Sequence, residues 1–482
     1  MEYEVTIGLE VHAQILTASK MFCGCSAEYA SAAPNTHVCP ICLGLPGALP
    51  VINQHAIELA GLTGLALNCQ IASDNTISRK NYFYPDLPAS YQRTQYDDPI
   101  CVAGWVDLDG PEGTKRIGLT RVHIEEDTGK RIHQADGSTL VDFNRAGVPL
   151  MEIVSEPDIA SPDEAKRFFQ KLRQTLIWIG VNTGNMEEGA LRCDANISVR
   201  PKGQAKYGSK VEIKNMNSFR AVERALIYEV ERQIKELDAG NSIPQSTRGW
   251  SEAESRTKLQ RIKESSDDYR YFPEPDIPPL ALTANWVAER QTELPELPDA
   301  RKTRFVAQYG ISAYEAETLA DLRIDADYFE RAVAAAAASG ATPRDVANWI
   351  SGELFRLLKD TSEDLAAVEQ RFPPTYIGQV QSLLNSGTIT RTSAKEVFEA
   401  SFRSGQAPSD VVAERGLAQI GAGDALSALA RAAIVGNPKS VGDYHSGKVA
   451  AIKFLVGQVM RASKGQANPQ AAQEALEREL SV

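Results

Sequence analysis

Seven cysteines in 482 residues are too few, and odd in number, for a disulfide scaffold. No stretch approaches the roughly 20 apolar residues a membrane helix needs, and the alanine-rich run 332–338 is far too short. The start, Met1-Glu2-Tyr3-Glu4, has neither the cationic head nor the apolar core of a signal peptide, which predicts a cytoplasmic protein. Basic charge is also scarce. Lys and Arg total 51 against 63 Asp and Glu, a net charge of −12, which argues against a protein that coats DNA non-specifically but leaves room for a local nucleic-acid site. Tandem repeats and low-complexity tracts are missing.

Familiar catalytic signatures are missing too. There is no Rossmann G-x-G-x-x-G. Gly442-Asp-Tyr-His-Ser-Gly-Lys448 fits G-x-x-x-x-G-K, but Val449 stands where Ser or Thr must meet Mg²⁺, and no apolar strand precedes it. It reads as a tail loop opening a helix, so any nucleotide must bind on a sheet. No G-x-S-x-G elbow, Gly-Gly-Ser-Ser stretch or N-terminal cysteine nucleophile is present. If ammonia is used, another chain must release it.

What is there falls into three zones. Up to about residue 272 short alternating segments point to β structure with a few helices. Pro273, Pro275, Pro278, Pro279, Pro295 and Pro298 mark a connection. Beyond it, Ala, Leu, Glu, Arg and Lys recur at helical spacing. In Tyr3 to Gln14 the apolar residues Tyr3, Val5, Ile7, Leu9 and Val11 alternate with Glu4, Thr6, Glu10, His12 and Gln14. A period of two puts Glu10 and His12 on one strand face. Leu191 to Val199 repeats the pattern, presenting Arg192, Asp194, Asn196 and Ser198. So do Lys210 to Lys214 and Thr120 to Glu126. Such alternation predicts an antiparallel sheet with one packed and one open face. Two helices are expected behind it. One is capped by Ser161-Pro162-Asp163-Glu164, with the stripe Ala165, Phe168, Phe169, Leu172, Leu176 and Ile179; the other carries Val222, Leu226, Val230, Ile234 and Leu237.

Two constellations can carry chemistry. Cys23-x-Cys25 and Cys39-x-x-Cys42 are spaced as two pairs of thiolate ligands for one structural Zn²⁺, with His37 as a spare ligand; the alternative is buried free thiols. Glu10, His12, Glu125, Glu152, Asp194 and Glu212 occupy polar positions of different segments. Converging with Arg192, Lys214, Asn196 and Asn217, they would form a hard-cation site for Mg²⁺ and a phosphoryl group; scattered, they would be a solvated face. The tail's Lys439, Lys448, Lys453, Arg461 and Lys464 face only Asp443, which suits either an RNA backbone or a solvated helix.

Longer motifs resolve the reading. They are Ile7-Gly-Leu-Glu-Val-His-Ala-Gln14, Cys39-Pro-Ile-Cys-Leu-Gly-Leu-Pro-Gly47, Lys80-Asn-Tyr-Phe-Tyr-Pro-Asp-Leu-Pro88 and His123-Ile-Glu-Glu-Asp-Thr-Gly-Lys130. Asp142-Phe-Asn-Arg-Ala-Gly-Val-Pro-Leu-Met-Glu-Ile-Val154, Arg192-Cys-Asp-Ala-Asn196, Val211-Glu-Ile-Lys-Asn-Met-Asn-Ser-Phe219 and Asp268-Tyr-Arg-Tyr-Phe-Pro-Glu-Pro-Asp276 follow, with Tyr444-His-Ser-Gly-Lys448 and Gly457-Gln-Val-Met460 in the tail. Over nearly its whole length the chain resembles the B-subunit family of the aspartyl/glutamyl-tRNA(Asn/Gln) amidotransferases, the GatB family.

That resemblance implies an α+β fold: a cradle-like antiparallel sheet domain similar to the glutamine synthetase and guanido kinase fold over 1–295, a helical domain over 296–408, and a helical tRNA-binding tail over 409–482. It implies ATP-dependent amidation of glutamate or aspartate mischarged on tRNA(Gln) or tRNA(Asn). The partners would be a glutaminase of the amidase type and a small bracing protein, the three chains forming a heterotrimer. It implies His12, Glu125 and Glu152 as Mg²⁺ ligands. Glu10, Asp194, Glu212 and Lys214 become catalytic residues, with Lys80, Arg192 and Asn217 at the ATP phosphates or carboxylate. Cys23, Cys25, Cys39 and Cys42 would hold Zn²⁺. Ala89-Ser90 replace the family's usual Lys-Gly after Pro88, and Ser246 replaces a usual Glu. A non-catalytic zinc-bearing scaffold and a free-standing ammonia-dependent ligase are the alternatives.

Overall fold

The fold is that of a computed structural model, which describes residues 2–110, 113–262, 269–420, 423–463 and 465–481. Asp268 and Lys464 lie outside the described residues. The chain divides into two compact units, Met1–Leu297 and Pro298–Val482.

The first unit is built on a 12-stranded sheet. We number its longer strands β1 (Tyr3–Gln14), β2 (Ser78–Asn81), β3 (Tyr91–Thr94), β4 (Cys101–Gly110), β5 (Gly113–Glu126), β6 (Pro149–Ser155), β7 (Leu191–Pro201), β8 (Val211–Met216), β9 (Ser246–Ser251) and β10 (Arg256–Ile262). Their spatial order is β10-β9-β8-β7-β1-β6-β5-β3-β2, with the two-residue strand Phe272–Pro273 at the β2 edge and β4 branching from β5. Strand β1 sits at the centre because its alternate residues Ile7, Leu9 and Val11 are fully buried and anchor both neighbours.

The sheet is mixed rather than antiparallel. Strands β8 and β9 run parallel, because the chain between them crosses over through a 20-residue helix, Phe219–Asp238. Helices α1 (Gln54–Ala66), α2 (Pro162–Trp178) and α3 (Phe219–Asp238) cover the apolar face, α2 and α3 side by side, α3 against β7 and α1 against β4 and β5. Ser161 caps α2 by accepting the Glu164 N–H, with Pro162 and two acids in the first turn. The α2 stripe from Ala165 to Leu176 is buried as expected.

Helix α3 departs from its expected stripe. Val230, Ile234 and Leu237 are only half-buried, while Glu229 and Gln233 are fully buried. The helix turns a polar seam inward because Glu229 is fully partnered: Arg232, Gln233 and Thr257 all donate to its carboxylate. The opposite sheet face is not uniformly open either. Gln92, Thr94, His123, Glu125 and Glu212 are all buried.

The proline-rich stretch is no free linker. Phe272–Pro273 pairs with β2, Leu280–Ala281 pairs with Asp74–Asn75, and the helix Ala284–Glu293 packs on α1. A buried charge ladder holds it: Glu274 accepts from Arg79 at 2.9 Å and Arg93 at 3.1 Å.

The named elements of the second unit are all helices among its described residues. Its last part has a core of its own, with Leu426, Leu455, Val459 and Leu476 among the buried residues. The expected boundary at 408/409 falls inside the helix Pro408–Arg415, which packs on the two preceding helices. Gly442 to His445 lie within the helix Pro438–His445, and Lys448 pairs with Asp443 at 2.8 Å, so the G-x-x-x-x-G-K run makes no phosphate cradle.

One local strain is testable. Ser90 has φ +63°, in the left-handed region that favours glycine. Ser90→Gly should therefore raise stability by about 0.5 kcal/mol, the roughly 1–2 kcal/mol left-handed penalty less the entropy cost of glycine. An unchanged denaturation midpoint would contradict this.

Candidate functional site: a polar row on the sheet and a four-cysteine loop

Antiparallel register places a polar row across four strands. His123 on β5 faces Glu152 on β6, Glu152 faces His12 on β1, and His12 faces Arg192 on β7. Glu125, two residues beyond His123, points to the same side. His12 Nε2 lies 3.3 Å from Glu152 and 3.7 Å from Glu125. The His12, Glu125 and Glu152 side chains are only 21%, 5% and 15% exposed.

The electrostatics follow from that packing. Burial alone would lower His12, but the hydrogen bond and charge of Glu152, with Glu125 behind it, lift it to about 9. Burial pushes the Glu125 carboxyl up. Glu152 is held below its ordinary value: burial opposes this, but His12, His123 and Lys80 prevail. His123 is lowered to about 4 by burial.

Lys80, on β2, is flanked by the rings of Tyr269 at 4.9 Å and Tyr82 at 5.6 Å. Tyr269 in turn meets Tyr271, which stacks on Tyr96 at 4.1 Å.

On the other side of His12 the row continues into a polar chain. Asn196 donates to Glu10 at 2.7 Å, Lys214 bridges Asp194 at 2.7 Å and Glu212 at 3.0 Å, and Thr247 donates to Glu212 at 2.8 Å. Lys214 is lifted above its ordinary value by those two carboxylates, against burial. A cleft of about 300 Å³ opens beside Glu10 and Asn196, lined also by Gly8, Val154 and Ser198. Asn217 is exposed in the turn before α3 and does not join the group.

A second cluster forms in the loop after β1. The sulfurs of Cys23, Cys25, Cys39 and Cys42 lie within 4.8 Å of one another. Cys39 and Cys42 Sγ are 3.9 Å apart, near the ~3.8 Å that four sulfurs at about 2.3 Å from a tetrahedral Zn²⁺ must show. Cys42 is lowered to about 5, chiefly by the Cys23 thiol donating to it, aided by the Cys39 N–H and the Lys20 ammonium. The donor set fits zinc.

His37 is not among these ligands. Its N–H donates to Asn144, and its carbonyl accepts from Lys20. Among the described residues these are the two groups that bring three or more metal-binding atoms together. For Mg²⁺, the two carboxylates of His12–Glu125–Glu152 are suitable hard donors, and the imidazole is a softer donor that suits a transition metal better.

Sequence reasoning passed over three residues. Lys20, 1% exposed, donates to the carbonyls of His37 at 2.7 Å and Phe143 at 3.3 Å, stapling the cysteine loop to the segment before β6. A lone lysine between loops carries no periodic signal. His123 shared the alternation that exposed Glu125 and could have been read with it. Asp127 lies one residue past β5, where the alternation stops. The replacement after Pro88 has a visible consequence: Ala89 packs on Gly44, whose Cβ would come within 2.7 Å of it, and offers no charge there.

A four-cysteine cluster and an imidazole–dicarboxylate row, each able to hold a metal ion, therefore lie in one α/β unit. Residues 5–288 match the GatB/GatE catalytic domain, and residues 327–480 match the GatB domain, so the chain belongs to the GatB family. It is 69% identical over 481 residues to the B subunit of the aspartyl/glutamyl-tRNA(Asn/Gln) amidotransferase of Roseiflexus castenholzii, covering 100% of both chains. The B subunits of the same name from Herpetosiphon aurantiacus and Caldanaerobacter subterraneus are 56% and 49% identical, again over 100% of both chains.

Proposed function

We propose that the chain activates and amidates the side-chain carboxylate of glutamate or aspartate mischarged on tRNA(Gln) or tRNA(Asn), using ATP, within a cytoplasmic heterotrimer that also holds a glutaminase of the amidase type and a small bracing protein. The observation that carries this reading is the row His123–Glu152–His12–Arg192 with Glu125 beside it: a hard-cation site next to a guanidinium on a sheet face. The fold is read as a cradle of the glutamine synthetase and guanido kinase type, followed by a helical domain and a tRNA-binding tail.

A carboxylate resists attack by ammonia because it is anionic. Its oxygen instead attacks the γ-phosphorus of ATP, ADP leaves, and the acyl phosphate is a competent electrophile. Ammonia then adds to the acyl carbon and the C–O bond to phosphate breaks. The surplus proton on nitrogen passes to a carboxylate of the Glu10, Asp194 and Glu212 group, while Lys214 keeps that group charge-balanced. His12, Glu125 and Glu152 would hold Mg²⁺, whose chemistry is to neutralise phosphate charge. Lys80 would face the phosphates from the β2 side, and Arg192 an oxyanion from the other. Zn²⁺ on the four cysteines would be structural. The sequence lacks the usual glutaminase nucleophile signatures, which supports ammonia supplied by a partner.

The test is reconstitution with the glutaminase and the small bracing protein, ATP, glutamine and each mischarged tRNA. Amide formation on at least one tRNA, dependent on ATP, is expected; a chain ending at Gln419 should bind tRNA more weakly. ATP-dependent amidation of free glutamate instead would favour the free-standing ligase.

A further inference from the structure

Asp127 follows β5 directly, two residues past Glu125, and its side chain is 3% exposed. Donors from four segments surround its carboxylate. Arg192 Nη2 (3.1 Å) and the Thr128 N–H (2.9 Å) reach Oδ1; Gln14 Nε2 (3.0 Å) reaches Oδ2, with Arg145 Nε 3.7 Å away. No step of the reaction above uses it. A buried carboxylate so fully partnered fixes whatever it holds.

What it holds is Arg192, whose side chain is 39% exposed and which stands next to His12 in the polar row. A guanidinium offers five N–H groups, and Asp127 takes one end. The Arg192 Nε–H is buried and has no partner. An orphaned donor of this kind is a cost to the fold until something accepts from it.

We infer that Asp127 is the positioning residue that sets Arg192 as a fork for the side-chain carboxylate of the charged amino acid, a role that rests on the reaction proposed above. On the reaction proposed above, the phosphates would lie on the opposite side of His12, toward Glu152 and Lys80. The planar, two-point geometry of guanidinium matches a carboxylate, whereas an ammonium such as Lys80 acts as a point charge.

The test uses the reconstituted complex with Asp127→Asn, Arg192→Lys and the double substitution. Asp127→Asn should raise the KM for glutamyl-tRNA about tenfold or more and leave the KM for ATP within about twofold. The amide leaves Arg192 and Arg145 without their shared buried counter-charge and should lower the thermal midpoint, so the kinetics are read well below the variant's own midpoint and at wild-type zinc content. The double variant should be no worse than Arg192→Lys alone, because both act on one fork. A shift in the KM for ATP instead, or losses that multiply in the double variant, would overturn the role of Asp127 in an otherwise active complex. A wild-type complex that forms no amide would overturn the reaction and this inference with it.

Discussion

Glu125→Gln should lower ATP-dependent amide formation at least about 10³-fold, or roughly 4 kcal/mol of lost transition-state stabilisation, while tRNA binding stays within about twofold. Glu125 is the most buried of the three cluster residues, at 5% side-chain exposure. The amide keeps the volume and the Thr94 contact, so packing survives and only the charge is lost. His12 then faces one carboxylate where it faced two, and the cation site loses half its anionic ligands. Single-turnover amidation and filter binding, measured on the same preparation, separate the two effects. Near wild-type amidation would remove the cluster from the mechanism.

Cys42→Ser should release zinc, taking the bound metal from about one ion per chain to a small fraction, and lower the thermal midpoint by about 5–10 °C. Cys42 is chosen because its sulfur accepts from the Cys23 thiol, the Cys39 N–H and the Lys20 ammonium at once. The cysteine loop is also tied to the sheet through Lys20 and through the Met21 N–H, which donates to Gly147. Metal loss therefore reaches the segment that leads into β6 and Glu152. Cys69→Ala and Cys193→Ala are the controls. Both residues are buried away from the cluster, and neither substitution should change the zinc content, measured by a chromogenic chelator.

Much of this site was legible because it lies on strands. Alternation in β1, β5 and β7 assigned Glu10, His12, Glu125, Arg192 and Asp194 to one face, and register then aligned them. The spacing of the four cysteines likewise pointed to one ion before any distances were known. The parts that were not legible share a physical reason: they depend on contacts between distant segments. Lys20 and Asp127 matter through partners 17 to 123 residues away. Glu229 reads as a surface acid until Thr257 and Arg248 arrive from β10 and β9 to satisfy it. The parallel β8–β9 pair arises from the α3 crossover, which local alternation does not report. The prolines at 273–298 read as a linker, but the Glu274 ladder and the pairing with β2 bind that stretch to the sheet edge.

The central claim is that the substrate's own carboxylate oxygen attacks ATP. It is tested most directly by charging tRNA with glutamate labelled with ¹⁸O in both side-chain oxygens and analysing the phosphate released by the reconstituted complex. Our account predicts one ¹⁸O in each phosphate formed per amide, with the label absent when Glu125→Gln replaces the wild-type chain. Unlabelled phosphate accompanying normal amide formation would contradict it.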